Sequence, residues 1–200
     1  MKKAVFFGGV ILVFCVSLLC SLWFCFPWSD AGIWLMNEVR GTAISKGVFM
    51  DFGKVDRALF PDAGILVEDI SLKYFMSGLD MDKIEIRPGF VTSLLHLKPS
   101  FYVKIGKGAI STGNNRCGDF DKGDLVVRIS KDHVFMDKID FSGEISASGH
   151  LDVDLSDGRF GPSALDIGVP GAMDDILKVI QVKGVLKRSG AGRWQLVKSE

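Results

Sequence analysis

The sequence lacks most of what reaction chemistry needs. Its three histidines, His96, His133 and His150, stand apart with no metal-ligand spacing. Of four cysteines, Cys15, Cys20 and Cys25 fall in one apolar stretch, and Cys117 is alone in the remainder. A single thiol cannot close an internal disulfide, so the domain must be held by its core. The cysteines therefore neither require nor exclude an oxidising compartment, and the first three read as small apolar filler. An excess of charge of one sign is missing too, because 24 basic residues balance 24 acidic ones. Removing Lys2 and Lys3 from the 24 basic residues leaves 22 against 24, with no basic block or stripe. Nucleic-acid binding, which needs clustered positive charge, is not expected.

No catalytic constellation emerges either. Gly161-Pro162-Ser163-Ala164-Leu165 lacks the second glycine of a nucleophile elbow. Gly106-Lys107-Gly108 lacks the earlier glycine and the spacing of a phosphate loop, despite Ser111 and Thr112 nearby. Asp119, Asp121, Gly123 and Asp124 resemble part of a calcium loop, but the glycine is misplaced and no glutamate closes it, so a polar turn is the expectation. Cys117 has only Arg116 beside it and reads as an inert thiol. The chain is expected to be no enzyme and to carry no cofactor or metal.

What is present begins with a long hydrophobic run. Residues 4–26, from Ala4 to Phe26, hold no charged side chain. As a helix they span about 34 Å, enough for a hydrocarbon core of roughly 30 Å. Lys2 and Lys3 precede the run and Asp30 is the first charge after it, so the positive-inside bias puts the N-terminus in the cytoplasm and the rest outside. Trp23 and Trp28 bracket the outer end, where amphipathic rings prefer to lie. A cleaved signal peptide is the rival reading, but its apolar core is about 7–15 residues and ends in small residues. Here residues 22–28 are bulky, and Ser29-Asp30-Ala31 is a poor cleavage site. Leu19, Phe14 and Phe24, which precede the cysteines, are large where lipid attachment needs a small residue. The expected division is a cytoplasmic tip and transmembrane anchor over 1–28, a short juxtamembrane helix over 29–41 and a β-rich periplasmic domain over 42–200.

Ser29 or Asp30 is placed to cap a helix over residues 31–40 that Gly41 ends. Ile33, Trp34 and Val39 give it an apolar side, for the membrane surface or the first strands. Strands follow. Val48, Met50 and Phe52 alternate with Phe49, Asp51 and Gly53. Leu66, Ile70, Leu72 and Tyr74 share one parity, which Glu68 breaks. Leu79 and Met81 are odd while Ile84 and Ile86 are even, a phase slip near Asp82-Lys83 that signals a bulge or turn. Further strands centre on Phe101, Val103 and Ile105, and on Leu125, Val127 and Ile129.

The clearest pattern covers residues 144–156. Odd positions hold Ile145, Ala147, Gly149, Leu151, Val153 and Leu155, and even ones Glu144, Ser146, Ser148, His150, Asp152, Asp154 and Ser156. Such alternation gives one dry and one wet face. Extended, the run measures about 43 Å, long for a strand, and Gly149 is a place for it to bend. Asp157-Gly158 then suits a hairpin turn. Strands over 182–187 and 193–198, joined by Ser189-Gly190-Ala191-Gly192, end the chain. Helices are expected at 90–97, between Pro88-Gly89 and Pro99, and at 174–180, which opens on two acids. No repeated crossover helix is evident, so the sheet reads as antiparallel. Its apolar face, with Ile145, Ala147, Leu151, Val153 and Leu155 as candidates, is either a closed core or a groove for acyl chains or a partner strand.

The run Phe60-Pro61-Asp62-Ala63-Gly64-Ile65-Leu66-Val67-Glu68-Asp69-Ile70-Ser71-Leu72, after an anchor, a short helix and a strand pair, resembles the entry of AsmA-like proteins. A strand over 83–87, a helix with Ser93-Leu94-Leu95 and a strand from Phe101 continue the likeness. Gly149-His150-Leu151-Asp152-Val153-Asp154-Leu155-Ser156-Asp157-Gly158 resembles the glycine-led strand and turn of the type II secretion protein N family, GspN. The resemblance implies a mainly β fold: an N-terminal transmembrane helix, then a curved antiparallel sheet forming an open or half-closed groove, with two or three short helices. It implies a single-pass component of the bacterial inner membrane, working with other secretion components in the export of folded proteins. The AsmA-like side implies lipid binding or transfer instead, with membrane lipid as partner and a lipid as possible ligand.

Overall fold

The structure is a computed structural model that describes residues 13, 14, 16–18, 21, 25–58, 64–113, 115–156, 159–180 and 186–198. Among these the chain forms one antiparallel sheet of twelve strands with three helices set against it. The elements are α1 (Trp28–Ser45), β1 (Val48–Asp51), β2 (Val55–Arg57), β3 (Ile65–Tyr74), β4 (Ser77–Pro88), α2 (Phe90–His96), β5 (Ser100–Ile105), β6 (Gly108–Thr112), β7 (Asn115–Ile129), β8 (His133–Gly143), β9 (Ser146–Asp154), β10 (Ser163–Gly168), α3 (Gly171–Ile180), β11 (Leu186–Gly190) and β12 (Arg193–Lys198). Strand order is β1-β3-β4-β5-β7-β8-β9-β10-β12-β11, with β2 on β3 and β6 between β4 and β7. Every pairing is antiparallel, as expected of a chain without crossover helices. The anchor expected at residues 4–26 lies mostly outside the described residues, as does the turn at Asp157-Gly158. Val13, Phe14, Val16 and Leu18, which belong to that run, are helical and at least half exposed. No helix among the described residues is long and apolar enough to cross a membrane.

The first helix is longer than its residues predict. It starts at Trp28 with Pro27 as the N-cap and no side-chain cap, so Ser29 and Asp30 lie in its first turn. Asp30 there suits the positive end of the helix dipole. Gly41 does not end it. A glycine inside a helix costs about 1 kcal/mol, and packing outweighs that, because Gly32 and Met36 are buried against the first strands. The helix stops at Ser45, where Gly47 takes the left-handed conformation at φ 77°.

Under α1 lies the main core, built from Met36, Met50, Val55, Ile65, Val67, Ile70, Met81 and Phe120. Each such side chain contributes about 1.5–3 kcal/mol by leaving water. In β1 the even residues face this core, with Met50 buried and Phe49 exposed. In β3 the expected face, Leu66 with Ile70 and Leu72, is corrected. Ile65 and Val67 are buried, then Ile70, so the phase changes at Asp69, whose φ is 55°.

Strand β4 changes phase at the same level. Ile86 and Ile84 pair with Ile65 and Val67, and Met81 pairs with Ile70, in one unbroken register. Asp69 and Asp82 therefore lie opposite each other, each the irregular residue of its strand. The slip anticipated at Asp82-Lys83 is thus half of a crease. The crease continues where Asp82 N–H donates to Lys107 O and Gly106 N–H to Lys83 O, at the break between β5 and β6. It ends in β7 at the register shift between Phe120 and Lys122. Asp119, Asp121 and Asp124, expected in a polar turn, are instead part of strand β7.

Candidate functional site

The crease brings carboxylates of Asp69, Asp80, Asp82, Asp119 and Asp121 around one surface cavity of about 610 Å³, beside Lys107 and Arg116. Arg116 pairs with Asp119. No three His, Cys, Asp or Glu side chains among the described residues, these aspartates included, are grouped closely enough to hold a metal ion. His133 Nδ1 is 3.0 Å from Asp152 Oδ1, whereas His150 is exposed. The Cys117 thiol is buried and donates to Thr112 Oγ1 at 3.3 Å. These contacts join neighbouring strands and assemble no nucleophile, base and oxyanion donor in one place.

The more extensive feature is the apolar face of the sheet. Side chains paired across a ladder share a face. Val103, Leu125, Ile139, Gly149, Leu165 and Leu196 form one row across β5, β7, β8, β9, β10 and β12. Phe101, Val127, Met136 and Leu151 form the next row, and Ile129, Val134 and Val153 a third. A bulge in β8, between Met136 and Ile139, keeps both on this face although their parity differs. The opposite face carries Lys104, Asp124, Lys138, Asp140, Ser148 and Asp166 in the matching rows.

Helices cover the two ends of the apolar face. Gly32 of α1 sits on Ile65 and Val55, where a Cβ would fall 2.7 and 2.8 Å from their methyl groups. At the other end α3 lies over Trp194, whose indole N–H donates to Asp174 at 2.9 Å. Asp174 also accepts from Arg188 at 2.8 Å and stands 3.0 Å from Lys178. Burial opposes its ionisation, but the hydrogen bonds from Lys178, Arg188 and Trp194 prevail and hold its carboxyl down at about 2. Between the helices the face is only half covered. Ile139 and Leu196 are buried, while Phe101, Val103, Leu125, Val127, Val134, Met136, Leu151, Val153 and Leu165 keep partial exposure. No second sheet closes it among the described residues.

Ala147, Leu151 and Val153 lie on this face, half-buried. Ile145 is buried just before β9, beside Gly118 and Pro170. Leu155 lies beyond the end of β9 and is 56% exposed, so it is not part of the dry face. Asp152, on the side expected to be wet, is buried, because residues 159–163 fold over it. Gly161 N–H donates to Asp152 O, and Asp152 N–H donates to Ser163 Oγ at 3.0 Å. Phe26 is exposed and meets Trp28 edge-on at 4.7 Å, and Trp28 packs on the core. Ala4 and Trp23 lie outside the described residues.

A second exposed apolar surface, on α2, was not expected from the sequence. Leu94 and Leu95 are 76% exposed and Leu97 is 87% exposed. The Leu-Leu-x-Leu run before Lys98 was the available signal.

A family model described as "Type II secretion system protein GspN-like, Synergistales" matches residues 3–198. No curated protein and no solved structure matches the chain.

Proposed function

The chain belongs to this GspN-like type II secretion family, and from that premise we propose that it is a membrane-anchored, non-enzymatic assembly component of the secretion apparatus. The family match over residues 3–198 carries the reading. The uncharged residues 4–26 supply the anchor, placing the sheet on the periplasmic side of the bacterial inner membrane. Exposed edges and the half-covered apolar face then offer surfaces to other secretion components. Deleting the gene in its own bacterium tests this. Exported proteins should accumulate in the periplasm, and the full chain should restore their release. Unchanged export in the deletion strain would sink the proposal. A periplasm-dependent reporter fused after Glu200 should be active, and inactivity would reverse the orientation.

One observation favours a second reading, lipid holding. An apolar strip running from Phe101 to Leu165 across five strands is left partly open to solvent, and such a strip fits an acyl chain. The full chain, purified in a non-lipid detergent, should then retain phospholipid detectable by mass spectrometry. Met136→Glu with Leu151→Glu should release it, and lipid-free protein from both forms would exclude this reading.

A further inference from the structure

We propose that the α2 apex is a second membrane contact, in which Leu94, Leu95 and Leu97 enter the headgroup and acyl boundary of the same bilayer that holds residues 4–26. The inference rests on the anchored reading for its choice of partner, and on the structure for its geometry.

Three observations carry it. The first is exposure. Leu94 and Leu95 are 76% exposed and Leu97 is 87% exposed, three large apolar side chains within four positions. The second is that the exposed leucines are firmly held. Gly89 N–H donates to Ser100 O, and Ser100 N–H donates to Ser93 Oγ at 2.9 Å. The Thr92 and Tyr102 hydroxyls lie 2.6 Å apart. Leu97 itself is kept in the left-handed region at φ 52°, uncommon for a bulky side chain. The apex is thus fixed in the orientation that leaves the leucines in solvent.

The third observation is position. Gly32, in the second turn of α1, packs on Ile65. Ile65 pairs with Ile86 of β4, and α2 follows β4 at that same end of the sheet. The uncharged run reaches α1 at Phe26 and Pro27, so the point where it meets the domain and the three leucines lie at one end. The other end of these strands, the turn between β3 and β4, holds Phe75 at 94% exposure. It lies roughly the length of a ten-residue strand away, about 33 Å. A bilayer reached through residues 4–26 therefore faces the leucines and not Phe75. A short apolar helix that enters an interface in this way contributes through buried apolar area.

Photocrosslinking of the full chain, reconstituted in phosphatidylethanolamine–phosphatidylglycerol vesicles that contain clickable phosphatidylcholine, tests the idea. A benzophenone amino acid replaces Leu95, Phe75 or Leu18 in separate preparations. Irradiation should join lipid to position 95 at least about tenfold more than to position 75, the order expected for one buried leucine. Leu94→Glu should lower the adduct at 95 severalfold. No lipid adduct at 95, or a protein adduct in its place, overturns the inference. Position 18 reports separately on the anchor: lipid at 18 without lipid at 95 removes the second contact and keeps the anchored reading.

Discussion

The Trp194 indole N–H donates at 2.9 Å to Asp174, twenty residues earlier in the chain, and this bond ties α3 to the last strand. Trp194 is 1% exposed and Asp174 5%, so the contact is made inside the protein. Arg188 of β11 and Lys178 of α3 complete the carboxylate's surroundings. The C-terminal end of the sheet is therefore held by a charged group, and its stability must follow that group's protonation.

The folded carboxyl titrates at about 2, below the ordinary 3.8. A depressed acid contributes stability above its unfolded value, and the contribution is lost as pH falls from about 4 toward 2. Urea melts of the chain in detergent should thus show a steeper loss over that window than melts of Asp174→Asn. Equal slopes would show that Asp174 is not the linked group.

At Asp69, φ is 55°. Glycine adopts this region without steric cost, while a β-branched residue does not. Asp69→Gly should hold or raise stability, by up to about 1 kcal/mol, and Asp69→Val should lower it by about 1–3 kcal/mol. The reverse order in thermal melts would place the phase change elsewhere.

Gly32 allows α1 to reach β3. A Cβ there would lie 2.7 Å from Ile65 Cγ2 and 2.8 Å from Val55 Cγ1. Gly32→Leu should cost about 1–3 kcal/mol by overpacking, despite leucine's better helix propensity. An unchanged or raised melting temperature would mean that α1 does not seat on these strands.

Gly149 combines φ 143° with a Cβ position 2.1 Å from Ala164 O. The obstacle is backbone, which cannot turn aside as a flexible side chain can. Gly149→Ala should therefore cost about 2–5 kcal/mol, from strain and crowding together. The same substitution at Gly41, which has nothing within 4 Å, should be neutral or stabilising. Equal effects at the two sites would refute the close β9–β10 approach.

Much of the candidate surface was legible from residues 144–156, because Ala147, Leu151 and Val153 share a parity and a face. Leu155 and Asp152 were not, since one lies past the strand's end and the other is buried by a segment that follows it. Nothing in the local alternation reports either event. The leucines of α2 were legible as an apolar helix. Their exposure was not, because it depends on how the Ser93 and Thr92 contacts with β5 turn the helix.

The sequence by itself determined that this chain makes long antiparallel strands with alternating character, since pleating gives every strand a period of two. It also determined an uncharged run ahead of them and the family to which the chain belongs. Only the tertiary structure decided which parity is buried on either side of Asp69 and Asp82, where α1 stops, and that the apolar face is left half open between α1 and α3. The reason is physical: alternation is a property of one strand, while burial belongs to whatever packs across the ladder, and those partners are distant in the chain.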